Sequence, residues 1–285
     1  MMRKRKKKDS NLLIYGFAVA ALVLIFLFVK RGIPGGADEQ DIPEESIAQG
    51  ISFLESMDER SVEEVEAVQK EQRRAVLVAE SEEKKEELRN GDVDVWSLFQ
   101  DYALLGDSRA VGYYYYDYLS EDRVMAEGGL TIRDIETYME DLISLNPSSI
   151  FLCFGLNDVS IGYWDTPEEY AEEYLEILNS MQERIPDTTI YVSSILPARD
   201  PAFERSEKWR RIPEFSAKVE EMCEENGYSF VNNDEISEEY SDLWDSDGIH
   251  LNREFYPYWA TNLILAMYDH AEAELVAEAE AEGEV

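Results

Sequence analysis

Ser108, Asn157, Asp247 and His250 are the residues of this chain whose types and spacing could do chemistry. A serine hydroxyl is a weak nucleophile near neutral pH and needs a base within reach. The chain has two histidines, so that base is His250 or His270. His270 lies in the polar stretch Asp-His-Ala-Glu-Ala-Glu and reads as part of a solvated helix face. Asp247 stands three residues before His250. One loop can therefore present the imidazole while the carboxylate holds its tautomer and steadies the imidazolium. Asn157 offers a neutral donor to a tetrahedral oxyanion. The chemistry these types describe is acyl transfer through serine. Cys153 and Cys223 sit in apolar, strand-like and helix-like runs and read as buried thiols. Neither cysteine and neither histidine lies at metal-ligand spacing, so no metal or cofactor is expected.

These residues are useful only if the backbone presents them together. The apolar run Tyr102–Leu105 reads as a buried strand that breaks at Gly106-Asp107-Ser108, ahead of a helix-compatible segment over 109–119. That places Ser108 at the carboxyl edge of a sheet and at a helix N-terminus, with free N–H groups nearby. The competing reading is that Ser108 or Asp107 caps the helix. Further strands are expected at 123–126, 149–154, 188–194 and 228–231. Helices are expected at 131–144, 167–184, 212–225 and 254–278. Alternation of this kind predicts an α/β fold with a parallel sheet, whose site lies beyond the carboxyl ends of the strands. Gly128-Gly129 follows the second strand, Gly155-Leu156-Asn157-Asp158 the third, and the loop Asp245–His250 the fifth. Each alone reads as turn or cap punctuation. Their joint occurrence, one per strand end, does not.

On these four blocks, Gly106-Asp107-Ser108, Gly129, Gly155-Leu156-Asn157-Asp158 and Asp247-Gly248-Ile249-His250, residues 99–270 resemble the SGNH hydrolases, the GDSL-like lipases and esterases. The resemblance implies a flavodoxin-like three-layer α/β/α sandwich with a five-stranded parallel sheet. It also implies Ser108 as nucleophile, His250 as base and Asp247 as its orienting acid. The oxyanion hole would comprise the Ser108 and Gly129 N–H groups and the Asn157 amide. Two points depart from the pattern or stay open. Arg109 stands where the family name has Leu, and Gly129 is preferred to Gly128 because it directly precedes the Leu-Thr opening the next helix.

Other side chains carry two readings each. Tyr113 to Tyr116, with Tyr118, could line an acyl or sugar pocket or pack in the core. Arg109 could bind a negative substrate group or pair with an acid. Trp164 is a candidate for stacking on sugar, and Arg210-Arg211 reads as a solvated pair.

The chain is acidic, with 26 Lys and Arg against 62 Asp and Glu, a net charge of -36. Setting aside the eight basic residues and one acid up to Arg31 leaves 18 against 61, a net of -43 over 32–285. Such a surface repels nucleic acid and anionic headgroups, so neither is an expected partner. Residues 12–29 form an uncharged apolar run long enough to span a membrane. A cleaved signal peptide is the competing reading, but Lys30-Arg31 spoils its cleavage region. The basic residues before the span outnumber those after it, which predicts a cytoplasmic N-terminus and an extracytoplasmic domain. The expected map is a basic tail (1–11), an anchor (12–29) and a linker with an acidic helical stalk (30–94). An SGNH hydrolase-like domain (95–278) and a disordered tail (279–285) complete it. Within 30–94, Ser61-Val62-Glu63-Glu64 opens a helix that should stop at Asn90-Gly91. The expected activity is hydrolysis of short acyl esters, O-acetyl groups of cell-envelope carbohydrate above all. A lipid esterase, an acyltransferase of the same fold, and a silent binding or scaffold domain are the alternatives.

Overall fold

The computed structural model describes residues 62–283. The expected span at 12–29 lies outside the described residues. Among the described residues, no helix is long and apolar enough to cross a membrane.

Five strands, β1 (Tyr102–Gly106), β2 (Val124–Ala126), β3 (Ser149–Cys153), β4 (Thr189–Ser193) and β5 (Ser229–Val231), pair in the order β2-β1-β3-β4-β5. Every pairing is parallel, with Leu104 opposite both Val124 and Phe151, and Phe151 opposite Tyr191. The chain order reverses between β1 and β3. A crevice beyond the carboxyl ends opens at such a reversal.

The helices are α1 (Val62–Arg89), α2 (Gly112–Tyr115), α3 (Met139–Leu145), α4 (Leu156–Ile161), α5 (Pro167–Arg184), α6 (Ala202–Arg205), α7 (Ile212–Asn226), α8 (Asp234–Glu239) and α9 (Tyr256–Gly283). Strand side chains alternate between the two faces of the sheet. Ala103, Leu105, Ile150, Leu152, Ile190 and Val192 pack with Leu142 of α3, Tyr170 and Leu178 of α5, and Phe215 and Val219 of α7. Tyr102, Leu104, Phe151, Cys153, Tyr191 and Val231 pack with Leu88 of α1 and Phe255, Trp259 and Leu263 around α9. Burying a large apolar side chain contributes about 1.5–3 kcal/mol. Both faces are covered, as an all-parallel sheet requires.

Local signals place several boundaries. Thr166 and Glu169 form a capping box around Pro167, and α5 spans 167–184 as expected. The first helix stops at Asn90-Gly91, where Gly91 takes φ +73°. Lys85 and Leu88, near its end, are buried.

Three expectations need correction. No helix covers 109–119: the chain turns through Val111, makes the single turn of α2, and reaches Asp117 at φ +60°. A Cβ on Gly112 would sit 1.9 Å from the Tyr256 hydroxyl, so close packing on α9 shapes this segment rather than helix propensity. The expected helix at 131–144 begins as a 3-10 helix (Ile132–Tyr138), in which buried Ile132 and Ile135 are three apart and fall on one face. Finally, helix α9 runs to Gly283, through residues expected to be a disordered tail, because Ala and Glu there are strong helix formers.

Candidate active site

Strand β1 ends where Gly106 presses on β3: a Cβ there would sit 2.6 Å from the Cys153 carbonyl and 2.5 Å from Ala110 Cβ. The backbone then turns. The Asp107 N–H donates to the Cys153 carbonyl (3.2 Å), and the Ala110 N–H to the Asp107 carbonyl (3.0 Å). The fully buried Asp107 side chain accepts the Arg109 N–H (3.0 Å) and the Leu156 N–H (3.3 Å), tying the turn after β1 to the one after β3. Asp107 therefore takes the anchoring role, and Ser108 is left partly exposed on top of the turn.

The loop after β5 brings the partners. Trp244 and Leu251 form an antiparallel bridge, the Asp245 N–H donates to the His250 carbonyl (2.8 Å), and Gly248 adopts φ +71°. A Cβ at Gly248 would sit 2.3 Å from the Arg199 carbonyl, and the Arg199 N–H donates to the Gly248 carbonyl (2.8 Å). With the Trp244 Nε1–H donating to the Pro197 carbonyl (3.1 Å), the segment after β4 buttresses the histidine loop. No motif in the sequence marks that segment.

His250 Nε2 lies 3.2 Å from Ser108 Oγ, and His250 Nδ1 lies 2.6 Å from Asp247 Oδ2. A carboxylate only accepts, so Nδ1 carries the proton and Nε2 is the acceptor facing the hydroxyl. Asp247 Oδ1 takes the N–H groups of Ile249 (2.9 Å) and His250 (3.0 Å). Partial burial opposes the Asp247 charge, but these two N–H groups and the His250 ring outweigh it and hold the carboxyl below its ordinary range. The chain thus brings together a hydroxyl, an imidazole and a carboxylate in the order that general-base activation of serine requires.

Two further segments carry the expected donors. Asn157, in the first turn of α4, donates from Nδ2 to the Leu130 carbonyl (2.9 Å). Asp158 Oδ1 accepts the Ile132 N–H (2.9 Å). Of Gly128 and Gly129, only Gly129 has positive φ, +91°, and a Cβ on either would meet nothing within 4 Å. Neither the Ser108 nor the Gly129 N–H is taken by an acceptor among the described residues.

Other candidates fall elsewhere. Arg109 is buried, donates to the Leu196 carbonyl (2.6 Å), and has Nε 3.5 Å from Asp107, so it is an internal pair and not a substrate contact. Trp164, only 5% exposed, donates from Nε1 to Glu173 (2.7 Å), which overturns its expected role in stacking. Its neighbour Tyr163 is the exposed ring. Tyr113 is core, edge-on to Tyr256, and Tyr118 stacks on Trp96. His270 is half-buried, with Nδ1 2.9 Å from Ser229 Oγ at the opposite end of the sheet. Cys153 and Cys223 are buried and unpaired, and burial pushes the Cys223 thiol up to about 12. Arg210 is exposed and Arg211 half-buried, each paired with a glutamate three residues away.

Comparison with known proteins adds the following. The GDSL-like lipase/acylhydrolase family matches residues 97–257. No match was found among curated proteins. A candidate GDSL-like lipase from Parabacteroides merdae is similar in structure at 18% identity and TM-score 0.50, over 59% of this chain and 97% of that one. A lipase/acylhydrolase from Enterococcus faecalis is similar at 18% identity and TM-score 0.48, over 60% and 96%. The catalytic domain of peptidoglycan O-acetyltransferase A from Streptococcus pneumoniae is similar at 16% identity and TM-score 0.45, over 61% and 95%.

Proposed function

The chain belongs to the GDSL-like lipase/acylhydrolase family and is a serine hydrolase of ester bonds, and on that premise we propose that Ser108 is its nucleophile, His250 its base and Asp247 the acid that orients the base. The observation that carries this reading is the continuous relay from Ser108 Oγ through both nitrogens of His250 to Asp247 Oδ2. Ser108 Oγ bonds to the ester carbon while its proton passes to His250 Nε2. The tetrahedral oxyanion takes donors from the N–H groups of Ser108 and Gly129 and from the Asn157 amide. Collapse expels the alcohol, which leaves with the proton held by His250. Water then attacks the acyl-enzyme, gives its proton to His250, and releases the carboxylic acid and free Ser108.

The preferred substrate is a short acyl ester, above all an O-acetyl group on cell-envelope carbohydrate. Supporting this, the His250 side chain is 46% exposed and the two glycines beside the site leave open space, which suits a polymer laid across a shallow surface. The net charge of -43 beyond Arg31 works against approach to an anionic lipid surface. The apolar run at 12–29 and its basic preceding tail support an anchored protein with the hydrolase outside the cell.

A fluorophosphonate probe should label Ser108, and Ser108→Ala should lose both labelling and p-nitrophenyl acetate hydrolysis while keeping its fold. Efficiency on p-nitrophenyl esters should fall from acetate to palmitate, and acetylated polysaccharide should release acetate. Protease added to intact cells should remove the domain beyond Arg31. Unchanged turnover in folded Ser108→Ala would refute the mechanism. Efficiency rising to palmitate would favour a lipid esterase, and protection from protease would reverse the orientation.

A further inference from the structure

Asp158 takes no part in the relay, yet it is buried beside Asn157. It follows Asn157 directly, and the two side chains grip one short segment from opposite chemical sides. Asn157 Nδ2 donates to the Leu130 carbonyl, and Asp158 Oδ1 accepts the Ile132 N–H. That segment begins at Gly129, whose N–H is one proposed oxyanion donor, while Asn157 is another. The same turn is tied to the nucleophile turn by the Leu156 N–H on Asp107. We propose that Asp158 is a positioning residue that sets the Gly129 segment and Asn157 against each other, and that it does so with no charge on its carboxyl. This rests on reading Ser108 as nucleophile with those two donors.

The absence of charge follows from what surrounds the carboxyl. Its second oxygen, Oδ2, is buried without a partner. From the nucleophile turn it meets Asp107, whose charge is already engaged by Arg109. From the 3-10 helix after Thr131 it meets Arg133, whose guanidinium is bidentate on Glu173. From α5 it meets the phenols of Tyr170 and Tyr174, both buried and without partners. No cation is left for a carboxylate here, and a buried unpaired charge is costly enough that such a group takes up a proton instead. Burial pushes its pKa up to about 7, with help from the neighbouring Asp107 charge and against backbone N–H groups, that of Ile132 first. An ionised Asp158 would also set a negative charge behind donors meant for an oxyanion. Loss of its proton should therefore slow the chemical step rather than weaken binding.

The test is kcat and KM of the full chain on p-nitrophenyl acetate from about pH 6 to about pH 9, for the wild type, Asp158→Asn and Asp158→Ala. Wild-type kcat should fall on the alkaline side of about pH 7. The Asn variant keeps an acceptor for the Ile132 N–H and cannot ionise, so that fall should disappear. The Ala variant frees the segment and should lose about 10²-fold in kcat at every pH, with KM within about twofold. An alkaline fall that persists in Asp158→Asn overturns the proposal, as does a wild-type profile flat to the alkaline end. If Asp158→Ala does not fold, the Asn profile decides alone. A wild type that neither hydrolyses the ester nor takes a fluorophosphonate at Ser108 fails the underlying reading, and this inference with it.

Discussion

Asn157→Ala tests the oxyanion reading most directly. The wild-type side chain has two N–H groups on Nδ2, and one is held by the Leu130 carbonyl at 2.9 Å. That bond fixes the amide plane and leaves the other N–H to be donated. Alanine removes both. Loss of one donor to the developing oxyanion costs about 10²–10³ in kcat, or about 2.7–4 kcal/mol of transition-state stabilisation. The lost bond to Leu130 contributes about 0.5–1.5 kcal/mol to folding, a melting shift of only a few degrees in a domain of this size. The two effects separate in the assay. Steady-state kinetics on p-nitrophenyl acetate should show the full loss in kcat with KM little changed, since the donor acts mainly on charge that appears in the transition state. Fluorophosphonate labelling should slow in parallel. A folded variant retaining kcat within about threefold of wild type would refute the assignment, because no oxyanion donor is worth so little.

Two further predictions concern charges. Asp247→Asn should keep the loop but let the imidazole settle in the wrong tautomer, lowering kcat by about 10⁴. Because the folded Asp247 carboxyl lies below its ordinary range, it contributes stability above the unfolded value of about 3.9 that is lost as pH falls through the folded one. Acid titrations of stability should show that loss in wild type and not in the Asn variant. Lys85, 3% exposed, holds Asp269 (2.7 Å), Glu272 (2.9 Å) and Glu82 (2.8 Å), joining α1 to α9. Lys85→Met leaves three carboxylates facing one another and should cost about 1–3 kcal/mol, discounted because two of them are exposed. Thermal melting checks this, and an unchanged midpoint would sink it.

The features legible in the sequence were those carried by neighbours along the chain. Short apolar runs bounded by turn residues placed all five strands. Asn90-Gly91 marked the end of α1. The Gly-Asp-Ser block lies at the end of β1 and the Asp-Gly-Ile-His block in the loop between α8 and α9, and the fold brings Ser108, His250 and Asp247 together. Only the tertiary structure decided what those residues face. The same spacing allowed Arg109 to reach a substrate, but packing against Asp107 and Leu196 turned it inward. Trp164 and Tyr163 are adjacent aromatics, and burial under Glu173 and Arg133 separated their roles. Asp158 stood in the Gly155–Asp158 block with no role of its own, and only the fold leaves its second oxygen buried without a partner. The contact between Ser108 and His250 spans 142 residues and depends on strand order, register and the buttress after β4. Periodicity, caps and turns act over a few residues, whereas burial and charge pairing depend on distant segments, which meet only once the chain has folded.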